Sequence, residues 1–293
     1  MKRFLLQIVK YAAILLVIVH VIAAFSLWIH RQSAYYKPSY LATAVQEEDF
    51  DYIILGSSTG LTTLNSIQID TITGLHGINL SMDDSSLSSH YLMLSHFLDQ
   101  GKTTRKVVLS ISEGDLENEN PTLSGNDYRF LPWVSKPYVQ EYYNSFSGSE
   151  ANTLARSASL PMLGVSRYNS VIFFPAIQAA IQPKKRNRFD AQGNYVYPNS
   201  GGVTLTSRKE TNIKIKNPFY TKLKTLCEEN YIELILYQPP IANKTVTHIE
   251  SDVLWINHSA ILNDGSLFYD TIHVNAAGRT IASERLSQAL LEF

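Results

Sequence analysis

From Tyr11 to Ile29 the chain reads YAAILLVIVHVIAAFSLWI, 19 residues without a Lys, Arg, Asp or Glu. Wound as an α-helix at about 1.5 Å per residue, the run comes close to the roughly 30 Å thickness of a bilayer's hydrocarbon core. Lys2, Arg3 and Lys10 precede it, and Trp28 sits near its far end. Basic residues favour the cytoplasmic side and Trp the membrane interface, so residues 1–31 predict a single-pass anchor with a cytoplasmic N-terminus. Two other readings compete. Ala23-Ala24 has the small side chains of a signal-peptide cleavage site, although signal h-regions are usually about 7–15 residues. A buried core helix has the same composition.

The anchor also explains the charge balance. The full 293-residue chain carries 25 Lys and Arg against 26 Asp and Glu. Four of the basic groups and none of the acids lie in residues 1–31, which leaves 21 against 26, a net of −5. A mildly acidic remainder excludes a basic nucleic-acid binder. One cysteine, Cys227, excludes an internal disulfide and a Cys/His zinc cluster, and its place in a helix ahead of an apolar strand reads as packing. None of the eight histidines forms an i, i+4 pair beside a carboxylate, and no phosphate loop or dinucleotide fingerprint occurs, so no metal or cofactor is expected.

Residues 32–50 are polar without a clear period and read as a linker. From Asp51 the pattern changes. Short branched runs at Tyr52–Leu55, Gly77–Leu80, Val107–Ile111 and Ile232–Tyr237 suit strands buried on both faces of a parallel sheet. Helical stretches fall between and after them: 84–99, a helix opened by Asn217-Pro218, and a last one from Ala276 to Leu291. The alternation predicts an α/β domain over 51–293. Residues 113–216 fit it less well and read as an insertion. It holds the aromatic stretch Tyr128–Trp133, a helix at 166–181, the basic Lys184–Arg188, and a hairpin turning at Gly193-Asn194. Core packing is the plainer role for the aromatics, and a solvated loop for the basic segment.

Two short motifs could carry chemistry. Gly56-Ser57-Ser58-Thr59-Gly60 follows the first strand and opens a helix, so a serine there sits on a tight turn beside free helix N–H groups. The bland alternative is an ordinary Gly/Ser turn. The pentapeptide also fits G-x-S-x-G, but that elbow normally follows several strands, not the first. Asp270 and His273, three residues apart before the last helix, can be aimed by one loop into one site, where the carboxylate would orient the imidazole. Taken singly, they are equally a helix cap and a packing histidine.

A serine turn after the first strand, joined to a D-x-x-H loop before the last helix, resembles the SGNH/GDSL hydrolase superfamily. The resemblance implies a three-layer α/β/α sandwich with a parallel central sheet. It makes Ser58 the nucleophile, His273 its base and Asp270 the partner of His273. Ser57 stands where that family has Asp, and Ser81, after Asn79-Leu80, where it has an oxyanion-hole Gly. The N–H groups of Ser58 and Ser81 would hold the oxyanion. The family's third-block Asn has no match at Ser110–Gly114, and the nearest candidate is Asn126 in Gly125-Asn126-Asp127. With one N-terminal membrane helix, the pattern looks most like the anchored subgroup that includes the D-alanyl transfer protein of teichoic acid synthesis and polysaccharide O-acetylation proteins. What this implies is an extracytoplasmic esterase or O-acyltransferase working on an acylated glycan or cell-envelope polymer, with a membrane acyl-donor protein as a further partner. A non-catalytic glycan-binding or assembly protein of the same fold is the second reading, and an unrelated α/β binding domain the third. The Ser58–His273 distance separates the last from the first.

Overall fold

A computed structural model describes residues 1–292. In chain order the helices are α1 (Lys2–Arg31), α2 (Lys37–Thr43), α3 (Ser58–Thr63), α4 (Ser66–Thr73), α5 (Leu87–Asp99), α6 (Glu113–Leu116), α7 (Pro137–Asn144), α8 (Ser149–Arg156), α9 (Pro161–Arg167), α10 (Phe173–Ile181), α11 (Pro218–Glu229) and α12 (Ala276–Leu291). The strands are β1 (Asp49–Leu55), β2 (Gly77–Asn79), β3 (Thr103–Ser110), β4 (Lys209–Ile213), β5 (Glu233–Gln238), β6 (Lys244–Ile249) and β7 (Leu254–Asn257). They fall into two compact units: residues 1–46 with 127–187, and residues 47–126 with 188–292.

The first unit is helical. α1 is long and apolar enough to cross a membrane, and its side chains up to Ile22 are largely exposed. Burial begins with Ala23, Ser26, Leu27 and His30, one i, i+3, i+4, i+7 stripe that packs on α9 and α10. Residues 32–46 are not the linker their polarity predicts. Tyr36, Tyr40 and Leu41 are buried around α2, and the Tyr36 hydroxyl donates to the Val171 carbonyl. Tyrosines lower the apparent hydrophobicity of a segment while still burying large rings, which is why composition misreads it. The predicted 166–181 helix breaks into α9 and α10 around Tyr168–Ile172, where the Asn169 carbonyl accepts the N–H groups of Phe173 and Phe174. The Tyr128–Trp133 aromatics are core, as expected: Phe130 and Leu131 are fully buried, and Tyr128 stacks on Tyr168 at 5.0 Å.

The second unit is α/β. Its five-stranded sheet runs β2-β1-β3-β5-β7, parallel throughout. The three central strands bury both faces, from Tyr52 to Leu55, Val107 to Leu109 and Ile235 to Tyr237. Tyr52, Ile54, Val108, Ile235 and Tyr237 form one core with Leu286 and Leu290 of α12 and Ile69 of α4. α5 packs beside β1, and α11 beside α5 and β5. Caps set the helix starts: Asn217 accepts the Phe219 N–H at 3.0 Å, and Asn275 accepts those of Ala277 and Gly278 at 3.1 Å. The insertion is narrower than 113–216, because 113–126 and 188–216 belong to this unit. The predicted hairpin at Gly193-Asn194 is a turn without strands. Asp190 accepts the N–H groups of Gln192 and Asn194 at 2.9 Å, and Asn194 in turn accepts from Ser66. β4 and β6 form a separate parallel pair.

Asp115 of α6 and His90 of α5 lie 4.0 Å apart, too far for a hydrogen bond. Burial pushes the Asp115 carboxyl up to about 6 and the His90 ring down to about 3. Near neutral pH the two are a carboxylate beside a neutral imidazole, not an ion pair. Because folding raises the Asp115 value, its stabilising contribution is present below about pH 4 and is lost as pH rises through about 6. Asp115→Asn keeps an oxygen for the Leu87 N–H and removes the buried charge. It is expected to raise the unfolding free energy by roughly 1–3 kcal/mol near pH 8, with the gain vanishing near pH 4, in denaturant titrations. A loss of stability near pH 8 would show that the carboxylate has a compensating partner.

Candidate active site

β1 ends at Leu55 in the middle of the sheet, and Gly56-Ser57 turn the chain into α3. Both glycines of the motif are required by close approach. A Cβ at Gly56 would lie 2.8 Å from Ser110 Cβ, and one at Gly60 would lie 2.7 Å from Ser81 Oγ and 2.9 Å from Ser110 Cβ. The turn therefore seats α3 directly on the ends of the neighbouring strands. Ser58 is its first residue, so its N–H has no acceptor within the helix.

The opposite wall is the loop before α12. A bridge between Phe268 and Val274 and the bond from Tyr269 N–H to the His273 carbonyl (2.8 Å) close it. Within it, Asp270 Oδ1 accepts the N–H groups of Ile272 (2.9 Å) and His273 (2.8 Å). Asp270 Oδ2 lies 2.8 Å from His273 Nδ1, and His273 Nε2 lies 2.8 Å from Ser58 Oγ. The three side chains named from sequence are thus brought into one hydrogen-bonded line. An ionised carboxylate only accepts, so it fixes the proton on Nδ1 and turns the Nε2 lone pair to the serine. Partial burial pushes the Asp270 carboxyl up, but hydrogen bonds from the His273 ring and the two N–H groups outweigh it and hold the carboxyl below its ordinary value.

The two other expected contributors are placed differently. The Ser81 N–H donates to Asn79 Oδ1 at 3.0 Å. Asn126 Nδ2 donates to the Asp83 carbonyl at 2.8 Å, and its N–H to the Asp84 carbonyl at 3.3 Å. Both donors hold local turns. Asn79 also donates to the carbonyls of Gly60 and Leu64, which ties the second strand's end to α3.

A cavity of about 360 Å³ opens beside Ser58, lined among others by Ser57, Asp84, Ser85, Asn118 and Ser124. Its lining carries hydroxyls, an amide and a carboxylate but no Lys or Arg. Asp84 takes the left-handed backbone conformation (φ 53°), which Asp tolerates better than most residues. On the other side, Tyr197 stacks on Tyr269 with ring centres 4.2 Å apart and meets the His273 ring at 5.3 Å. Sequence reasoning missed Tyr197, Asp84 and Asn118. Tyr269 adjoins the D-x-x-H motif and was the available signal; Tyr197 is 76 residues from His273 and carries none. Among the described residues no group of His, Cys, Asp and Glu is arranged to hold a metal ion. Neither the protein-family models nor the curated proteins gave a match to the chain.

Proposed function

We propose that the protein is a membrane-anchored, extracytoplasmic serine esterase or O-acyltransferase of SGNH type, acting on an acylated glycan or cell-envelope polymer through an acyl-enzyme on Ser58. The observation that carries this is the continuous line from Ser58 Oγ through both His273 ring nitrogens to Asp270, each step 2.8 Å. In the first half-reaction Ser58 Oγ bonds to the acyl carbonyl carbon while its proton passes to His273 Nε2. Collapse of the tetrahedral adduct breaks the ester C–O bond, and His273 returns the proton to the leaving alcohol. In the second half-reaction His273 takes the proton of water or a sugar hydroxyl as its oxygen bonds to the acyl carbon; the Ser58 Oγ–acyl bond then breaks and His273 returns the proton to Ser58 Oγ. The helices beside the parallel sheet agree with a three-layer sandwich. The hydroxyl-lined, cation-free cavity suits a polyhydroxyl substrate. α1, with Lys2 and Arg3 in its first turn, suits an anchor with a cytoplasmic N-terminus.

The second reading, a non-catalytic protein of the same fold that binds glycan or assists an envelope-assembly complex, is favoured by one specific observation. The Ser81 N–H is taken by Asn79 Oδ1 and the Asn126 amide donates to the Asp83 carbonyl, which weakens the expected oxyanion hole. Removing one such donor typically slows acyl transfer by about 10²–10³. A fluorophosphonate probe on the detergent-solubilised full chain separates the two readings. Phosphonylation of Ser58, located by mass spectrometry and abolished by His273→Ala, is expected of the enzyme. A folded chain that leaves Ser58 unlabelled supports the binding protein.

A further inference from the structure

α10 has two apolar faces on opposite sides. Ile172, Ala176 and Ala179 are buried, and α10 packs on α1. Phe174, Ile177 and Ile181 recur at i, i+3 and i+7 on the other side and are 61%, 49% and 75% exposed. Exposed apolar side chains that form a stripe, unlike scattered ones, mark a surface with a partner. The position of the stripe identifies that partner. The helix begins where the Ile172 carbonyl meets His30 Nε2 at 2.8 Å, and the chain leaves it where the Pro183 carbonyl accepts the Ala34 N–H at 2.7 Å. Both ends are thus pinned to residues 30–34, where the apolar run of α1 stops. Trp28, exposed and stacked on Phe25 at 5.4 Å, lies at the same end of α1. Next come Lys184, Lys185 and Arg186, none of which pairs with a carboxylate among the described residues. Two of them, Lys184 and Arg186, line a cavity of about 510 Å³ with Gln32, Ala34, Thr43 and Pro183, and no acid lines it.

We infer that α10 and residues 184–186 form an interfacial foot, with Phe174, Ile177 and Ile181 immersed at the headgroup–acyl boundary and Lys184 and Arg186 holding the phosphate of an anionic lipid in the adjoining cavity. This rests on α1 being a membrane anchor. An apolar stripe flanked by unpaired cations is the composition of helices that lie in a membrane surface. The foot would fix the first unit against the bilayer where α1 alone allows it to rotate.

Single cysteines test this in the full chain. Burial pushes the native Cys227 thiol up to about 12, so it stays silent to labelling near neutral pH. Phe174→Cys, Ile177→Cys and Ile181→Cys carry an environment-sensitive fluorophore, with Ile14→Cys on α1 and Glu141→Cys at an exposed position of α7 as references. In vesicles of phosphatidylcholine and phosphatidylglycerol, spin-labelled lipid is expected to quench the three α10 positions at least about twofold and to leave position 141 bright. Quenching at 14 with positions 177 and 181 as bright as 141 would overturn the foot and point to a protein partner on that face. No quenching at 14 would instead remove the anchor on which the inference rests. Quenching at 181 is expected to fall severalfold without phosphatidylglycerol, and also on replacing Lys184, Lys185 and Arg186 together with Gln. Insensitivity to both changes would refute the headgroup site. Millimolar inorganic phosphate added to phosphatidylcholine vesicles is not expected to restore the quenching; restoration would mean a free anion suffices.

Discussion

Ser58→Ala is expected to lower turnover of a chromogenic acetyl ester by about 10³-fold or more, with the fold intact. The hydroxyl makes one contact of note, the 2.8 Å bond to His273 Nε2. The main-chain role of the residue survives the change, because the Ser58 carbonyl still accepts the Thr62 hydroxyl at 2.8 Å and Ala is a good helix former. Stability should therefore shift by no more than about 1 kcal/mol, which separates a chemical loss from an unfolding loss. His273→Ala should cost as much. The double variant should be no worse than either single one, since the two groups act as a unit and cannot be lost twice. Activity that survives both single changes would remove Ser58 and His273 from the mechanism. An additive double variant would show two independent contributions in place of one proton path. A strict transferase can ignore simple esters, so turnover is best read beside phosphonylation of Ser58, which reports the activated hydroxyl without an acceptor.

The parts of this fold that were legible in the sequence are those where one physical requirement dominates. β1, β3 and β5 are buried on both faces, so Tyr52–Leu55, Val107–Leu109 and Ile235–Tyr237 have almost no polar choice and stand out as apolar runs. Asn217 caps its helix by a bond local to the sequence. Asp270 and His273 were legible for the same reason, since a spacing of three lets one turn hold both. The edge strand β7 and the β4–β6 pair are short and partly exposed, so they lack the sustained apolar runs that mark the central strands. The helical unit was read as linker and insertion because its core is assembled from segments more than 80 residues apart, as when Tyr36 meets Val171. Ser81 and Asn126 illustrate another limit. Spacing can place a donor near a site, but it does not show that Asn79 Oδ1 or the Asp83 carbonyl claims the hydrogen first. Nor does it show that Ser110 on β3 forbids a Cβ at both Gly56 and Gly60.

Asp270→Asn should be nearly as damaging as loss of the nucleophile, for a reason set by the loop's own backbone. Asp270 Oδ1 accepts two N–H groups, from Ile272 at 2.9 Å and His273 at 2.8 Å. An asparagine must keep its single oxygen there, because turning its amide round would set N–H against N–H twice. Its Nδ2 then occupies the place of Oδ2 and donates toward His273 Nδ1. Oδ1 also lies 3.0 Å from Nδ1, but the shorter 2.8 Å contact now carries a donor; this drives the ring to accept at Nδ1 and to carry its proton on Nε2, pointing at Ser58 Oγ, and such an imidazole cannot take the serine proton. Turnover is expected to fall by about 10³–10⁴-fold, the scale of the same change in a Ser-His-Asp protease. Asp270→Ala supplies no donor and leaves the ring free to choose either tautomer, so it should retain more activity than the asparagine variant despite losing the loop's acceptor. Nitrogen NMR of histidine-labelled protein reads the cause directly. The proton should reside on Nδ1 in the parent and on Nε2 in Asp270→Asn. Equal activity of the Asn and Ala variants, with the proton still on Nδ1, would mean that Asp270 shapes the loop and does not set the tautomer.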